Sequence, residues 1–415
     1  IVPTHDDLAD RWIKQAPPTA YGRQEWRRYA DGVWPPVDED IIKNEVLQVV
    51  RAARAEGLKP TDSIVRSVTE LARLQVVVSN DKWDADPNLL PCKNGLLHIP
   101  TMILLPHFPE SYATFRVAYN YDPTARADVW KYTLSGHDEE TQSFLQEYAG
   151  YCLTTDTRYE LALWLYGPRG SGKSTFIEGL KAMLGDRAGT LSLSRIEQSR
   201  FALGNITGKT LLTATEQPSI FIQQSDVINS LISGETLTVE KKFKDEVDIR
   251  PFAKIIWAMN EFPRVPDSGN GLFRRVKVIE FPAIAEADRD ERIKEAIKTE
   301  GSGILNWALE GLARLRARGK FIIPEQVKLA SAAFERNNNI PALFIEDRAL
   351  TGPEYKTQSA LLYTAYKDWC IENGHKPASS TSIAQEWRNL GFEKYIISGR
   401  MFWRGVGLKS ELENG

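Results

Sequence analysis

Cysteine is scarce. The 415 residues include three, Cys92, Cys152 and Cys370. They lie far apart and form no CxxC pair, so neither a disulfide framework nor a thiolate metal site is expected, and a reducing cytoplasm suits the chain best. No apolar run approaches the ~20 residues needed to cross a bilayer, so no membrane partner is expected. No secretory signal opens the chain. It begins at Ile1 without a methionine, as expected of a chain processed or cut from a longer polypeptide. A basic excess is also missing: the net charge of -3 excludes a uniformly basic nucleic-acid binder but not a local basic surface. Repeats and low-complexity tracts are absent.

What is present is an ordinary globular composition, 42% hydrophobic and 26% charged. The chain is too long for one core, so two or three domains are expected. The divisions read from the pattern are 1–157, 158–321 and 322–415. The first part, to about Asp84, reads mainly as helices with tryptophans between them. After Pro35 and Pro36, the acids Asp38 to Asp40 stand where a helix N-terminus favours negative charge. Ile42, Val46, Val49 and Val50 then recur at helical spacing. The stretch WDADPNLLPCKNGLLHIP has short apolar runs and the Asn94-Gly95 turn signal. Its Asp84-x-Asp86 pair reads as a loop rather than a metal site, since Pro87 follows at once and no apolar strand precedes it. In EETQSFLQEYAGYCLT, Phe144, Leu145, Tyr148 and Cys152 share the apolar face of an amphipathic helix.

From about Glu160 to Pro282, apolar strands alternate with helical or loop segments, which is the α/β pattern. GILNWALEGLARLRARG then predicts a long helix with Leu305, Leu309, Leu312 and Leu315 inward and Gly319 as its stop. Pro324 opens another segment. Towards the end, LLYTAYKDWCIENG and SIAQEWRNLG are helices, and YIISGRMFW reads as two strands around Ser398-Gly399, an order that suggests a winged helix.

The strongest local signal is LALWLYGPRGSGKSTFIEGL. A buried strand, Leu161 to Tyr166, runs into Gly167-x-x-x-x-Gly172-Lys173-Ser174, and a helix follows. This is a P-loop in its required context. The expected nucleotide-binding residues are Gly167, Pro168, Arg169, Gly170, Ser171, Gly172, Lys173, Ser174 and Thr175. Glycines let several N–H groups face one phosphate, and the helix adds the positive end of its dipole. In such a loop the lysine, here Lys173, reaches the β- and γ-phosphates, and the hydroxyl, here Ser174, ligates Mg²⁺. GKTLLTATEQPS predicts a strand from Thr210 to Thr215 followed by Glu216, an acid placed for Mg²⁺. AKIIWAMN predicts a strand ending at Asn260, which reads either as a γ-phosphate sensor or as a turn asparagine. GLFRRVKVIEFP places Arg274 and Arg275 at the entrance of an apolar strand, Val276 to Phe281.

In this order the pieces resemble the superfamily III helicases, AAA+-type replicative ATPases of small viruses. They are most similar to the helicase part of phage, plasmid and poxvirus primase-helicases. The resemblance covers most of the chain. LLPCKNGLLHI, YNYDP and LQEYAGYCLTTDTR resemble the domain preceding the ATPase. Gly167 to Ser174 matches motif A, and Glu216 matches motif B. WAMNEFPRVPDSGNGLFRRVKVIEF matches motif C and the segment beyond it, and is the most specific part. The C-terminal segment resembles the winged helix often appended in this group.

The resemblance implies an α/β P-loop core of AAA+ type between a mainly helical N-terminal collar and a C-terminal winged-helix domain. It implies ATP and Mg²⁺ as cofactors, a homo-oligomeric ring, expected as a hexamer, and single-stranded or forked DNA as partner. It implies 3′-to-5′ unwinding in DNA replication, in a bacterial host's cytoplasm if the source is a phage or plasmid. Asn260 would be the sensor, and Arg275 the finger that reaches a neighbour's γ-phosphate. Arg274 would help or pair with an acid. The hairpin ETLTVEKKFKDEVDI would grip DNA through Lys241, Lys242, Phe243 and Lys244, a run that otherwise reads as a charged turn. In the C-terminal module Gln385, Arg388 and Arg400 are candidate DNA contacts, with protein docking as the other reading.

The chain departs from the pattern twice. Gln217 follows Glu216 where several members carry a second acid. No primase-type Asp-x-Asp on an apolar strand is found, so priming would need a domain upstream or in trans. The leading expectation is an ATP-hydrolysing DNA helicase. Two others stand beside it: an ATPase that loads or remodels DNA without unwinding, and a DNA-binding initiator or scaffold switched by ATP.

Overall fold

Side chains alternate across a strand, and a parallel sheet covered on both sides is apolar on both. The middle of this chain is built that way. The computed structural model describes residues 2–199, 201–217, 220–222, 224–240, 246–265, 270–286 and 292–409. Its central sheet has five strands: β1 (Ala162–Tyr166), β2 (Ala188–Thr190), β3 (Leu211–Gln217), β4 (Lys254–Met259) and β5 (Val276–Glu280). All neighbours pair in parallel, in the spatial order β5-β1-β4-β3-β2. Leu163, Leu165, Ile256, Ala258 and Ile279 enter one core, while Ala162, Trp164, Ile255, Trp257 and Val278 enter the other.

Six helices position the site: α1 (Glu139–Tyr151), α2 (Lys173–Leu184), α3 (Ser225–Ser233), α4 (Asn270–Arg275), α5 (Gly301–Arg318) and α6 (Glu325–Asn338). Apolar residues of α1, α2 and α5 fill the first core, and those of α3 the second. The open edge of β5 is covered by α6, whose Ser331 hydroxyl accepts the Val278 N–H at 3.0 Å.

The α1 helix is not amphipathic in place: every residue from Phe144 to Tyr151 is buried. The reason is a very close crossing by α5. A Cβ on Gly150 would lie 2.4 Å from the Ala308 carbonyl oxygen, and one on Gly311 would lie 2.3 Å from that of Gln146. The polar side chains of α1 are paired inside the crossing. Gln146 donates to the Trp307 carbonyl at 2.8 Å, and Glu147 pairs with Arg314 at 2.9 Å and with Arg318.

The expected N-terminal helices form, at His5–Gln15, Glu39–Ala52 and Asp62–Gln75, capped by Thr4, Asp38 and Thr61. Two small antiparallel sheets accompany them: Thr19–Gly22 with Glu25–Arg28 and Pro36–Val37, and Leu89–Cys92 with Gly95–His98 and Ile103–Leu105. The mainly helical reading is corrected to that extent, because strands of two to four residues are too short to show alternation. The second hairpin turns on Lys93 and Asn94, and Gly95 is already paired with Cys92. Asp84 is a latch: it pairs with Arg23 at 2.9 Å and accepts the Thr114 N–H at 2.8 Å.

The C-terminal part runs helix Ile340–Arg348, strand Ala349–Gln358, helices Ser359–Glu372 and Ser380–Asn389, then strands Glu393–Ile397 and Arg400–Leu408. The last strand lies between the other two, over a core of Phe344, Tyr366, Trp369, Trp387 and Trp403. No helix among the described residues is long and apolar enough to cross a membrane.

Lys254 opens β4 inside the first core, donating to the Thr154 carbonyl at 2.6 Å and lying 4.4 Å from the Tyr151 ring centroid. Burial pushes it down to about 7 from the ordinary 10.5. Between those values the unfolded chain holds a proton that the folded chain has lost, so stability rises with pH across that window. Measured by chemical denaturation, the stability of the wild type relative to Lys254→Met should therefore grow from about pH 7 to about pH 10. A constant difference would show that Lys254 titrates normally.

Candidate nucleotide site

The loop after β1 is shaped by glycines. Gly167, Gly170 and Gly172 have φ of 148°, 76° and 89°, and Gly172 in the left-handed region starts α2. Contact forces glycine at 167 as well: a Cβ there would lie 2.4 Å from the Phe281 carbonyl oxygen. Pro168, Arg169 and Gly170 form the exposed rim, while Ser171 and Lys173 are buried and Ser174 and Thr175 half-buried.

Lys173 is held over the loop by four oxygens. Its three N–H groups are shared among the carbonyls of Gly167 at 2.6 Å and Pro168 at 2.7 Å, Ser171 Oγ at 3.2 Å and Asn260 Oδ1 at 3.1 Å. Burial draws its pKa below the ordinary lysine value. The Asn260 contact spans 87 residues of sequence. It places the amide after β4 in the same cluster as the loop lysine.

Glu216 lies within β3, where the ladder to β4 slips. Trp257 pairs with Ala214, but Met259 pairs with Gln217, so Thr215 and Glu216 together oppose Ala258. A bulge of this kind re-aims side chains. It leaves Glu216 exposed and turns Gln217 inward, where its Oε1 accepts the Leu193 N–H at 3.0 Å. Gln217 therefore has a structural task, accepting the first N–H of the helix Leu193–Gln198, which Ser192 caps.

The two arginines stand at the other end of the sheet. In the parallel register Val276 faces Ala162 and Glu280 faces Tyr166, so the start of β5 lies beside the start of β1, and Gly167 follows the end of β1. The β1 strand has five residues, about 17 Å at ~3.3 Å per residue. Arg275 Nη2 lies 2.9 Å from Glu160 Oε2, its Nε donates to Ser233 Oγ at 3.0 Å, and its Nη1 donates to the Gly271 carbonyl at 3.2 Å. Arg274 is 71% exposed and touches the same carboxylate oxygen at 3.5 Å. Glu160 and Ser233 had no signal in the sequence, because an acid before a strand and a serine at a helix end are ordinary.

Helix α3 ends at Ser233, and a hairpin of Leu237–Val239 with Val247–Ile249 follows it. Lys241, Lys242, Phe243 and Lys244 lie outside the described residues. In the C-terminal part Gln385, Arg388 and Arg400 are exposed.

Comparison with known proteins adds a family context. A profile described as "D5 N terminal like" matches residues 18–136, and a family of unknown function, DUF5906, matches residues 165–275. The chain is similar to two "Putative helicase" proteins of invertebrate iridescent viruses. It is 20% identical over 338 residues to 121R of virus 3, covering 71% of this chain and 36% of that protein. It is 21% identical over 379 residues to 184R of virus 6, covering 77% and 38%. These matches relate the chain to D5-like and helicase-named viral proteins. A similarly named protein of Acanthamoeba polyphaga mimivirus, L207/L206, is 22% identical over 231 residues, covering 52% of this chain and 24% of its own length. The chain thus spans well under half of these relatives. The apo structure of the NrS-1 C-terminal region, A form, shares the fold with a TM-score of 0.56 at 12% identity, covering 96% of this chain and 98% of that one.

The bulge separates two neighbours by role. Gln217→Ala should destabilise the chain by about 1–2 kcal/mol in urea unfolding, because the Leu193 N–H is left buried and unpaired. Glu216→Gln should unfold like the wild type, since its side chain is exposed. The reverse order would place Glu216 in the core.

Proposed function

We propose that this chain is an ATP-driven DNA helicase that works as a homo-oligomeric ring, with each ATP bound between two subunits. The observation that carries this reading is the sheet's polarity. The phosphate-binding loop and the arginine pair sit at opposite ends of neighbouring parallel strands, so the arginines serve a site other than their own chain's. The strand order, with the Asn260 strand between the Glu216 strand and the P-loop strand, supports an AAA+-type core. The helix-strand-helix-helix-strand-strand order at the C-terminus supports a winged helix, with Gln385, Arg388 and Arg400 as DNA contacts. The units proposed are 1–157, 158–321 and 322–415, with α1 and α6 packed on the central sheet.

In this reading the N–H groups of residues 167–175 and the α2 terminus bind the phosphates. Lys173 shifts from carbonyl oxygens to phosphate oxygens, and Asn260, already bonded to it, senses the γ-phosphate. Ser174 and Glu216 offer hard oxygen donors that fit Mg²⁺, which binds through one or two protein ligands plus phosphate and water. When bound, it would neutralise phosphate charge. Arg275 of the next subunit supplies positive charge to the transferring phosphoryl group. The hairpin after α3, with Lys241, Lys242, Phe243 and Lys244 at its tip, would grip single-stranded DNA in the pore. The resemblance supports a hexamer, 3′-to-5′ travel and a role in replication.

Lys173→Ala should abolish ATP hydrolysis, and Arg275→Ala rings should be inactive alone. In a random equal mixture of the two, about a quarter of the interfaces pair an intact loop with an intact arginine, and turnover should return to about that level. No return in verified mixed rings would refute action in trans. A forked-duplex assay tests unwinding: DNA-stimulated turnover without strand separation would leave a loader or remodeller, and no DNA-stimulated turnover would leave an ATP-switched scaffold.

A further inference from the structure

We propose that Glu160 is a positioning residue that presets the arginine pair for the neighbouring subunit's nucleotide. The inference rests on the reading above, in which Arg275 acts in trans. It starts from the backbone. Glu160 has φ of 44°, in the left-handed region that side-chain-bearing residues seldom adopt. Such a conformation at a non-glycine position points to a constraint imposed by the surroundings. Here the constraint is pairing. Leu161 leads directly into β1, and the Glu160 N–H donates to the Thr157 carbonyl at 3.0 Å. In the register that pairs Ala162 with Val276, residues 160 and 274 each lie two positions before the pair. The carboxylate is thereby delivered to the start of β5.

What it does there follows from the guanidinium. A guanidinium has five N–H donors. Among the described residues, Ser233 Oγ and the Gly271 carbonyl accept from Nε and Nη1 of Arg275, and the Glu160 carboxylate pairs with Nη2 at 2.9 Å. Arg275 is thus held at three of its nitrogens, and only 14% of its side chain is exposed. A cation held this way does not have to reorganise as charge develops in the transition state. Glu160 also lies between two like charges, bonded to Arg275 and 3.5 Å from Arg274, so it offsets their repulsion. Arg274 keeps 71% of its side chain in solvent. The carboxylate touches no nucleotide of its own chain, because the length of β1 separates it from Gly167.

The test is steady-state ATP hydrolysis by Glu160→Gln, Glu160→Asp and Glu160→Gly rings, alone and mixed with Lys173→Ala subunits. Glu160→Gln should lower kcat about ten- to a hundredfold, the scale of a misplaced catalytic group, with KM for ATP unchanged. Glu160→Asp should fall between it and the wild type. Glu160→Gly suits the positive φ, so an equal loss in that variant cannot come from backbone strain. Mixing with Lys173→Ala, whose Glu160 and arginines are intact, should restore turnover to Glu160→Gln as it does to Arg275→Ala. Wild-type turnover in Glu160→Gln and Glu160→Gly would overturn the proposal. So would failure to recover in mixtures where Arg275→Ala recovers, since that marks a folding defect. If Arg275→Ala also fails to recover in verified mixed rings, the trans reading falls and the proposal with it.

Discussion

Parallel pairing between β1 and β5 is the constraint on which the rest depends. Backbone hydrogen bonds fix the two strands side by side with the same direction. Whatever follows β1 then lies at the opposite end from whatever precedes β5. The glycine-rich loop follows β1, and the two arginines precede β5. Within one chain the loop and the arginines therefore stay at opposite ends of the sheet.

The same strand that separates these groups also links them. At its far end the chain continues to Phe281, whose N–H donates to the Tyr166 carbonyl at 2.7 Å and whose own carbonyl packs against Gly167. At its near end Arg275 holds Ser233, the last residue of α3. The hairpin of Leu237–Ile249 begins a few residues later. Loop, arginines and hairpin are thus joined through one rigid strand and one helix end. Rigid elements packed on both faces transmit displacement rather than absorb it.

Much of this was legible in residues. The turn from Gly167 to Gly172 was readable because its signal is local: glycines that take positive φ between a strand and a helix. The long helix α5 and its Gly319 stop were readable for the same reason, as Gly319 ends it at φ of 75°. The small N-terminal strands were not, since two to four residues carry no period. The α1 helix misled because its polar face is buried against α5, in contacts more than 160 residues apart in sequence.

The sequence by itself determined the order of the parts: a glycine-rich loop, an acid-bearing strand, an amide-tipped strand and an arginine-led strand. These depend on residue identity and short spacing, which a chain carries before it folds. Only the tertiary structure decided which of them meet. Asn260 joined Lys173 because β4 pairs with β1. Gln217 left the site because one extra residue in β3 turned it inward. Arg274 and Arg275 left the site of their own chain because β5 is parallel to β1, and they met Glu160 there. Strand order and register arise from long-range pairing, and no window of local sequence contains them.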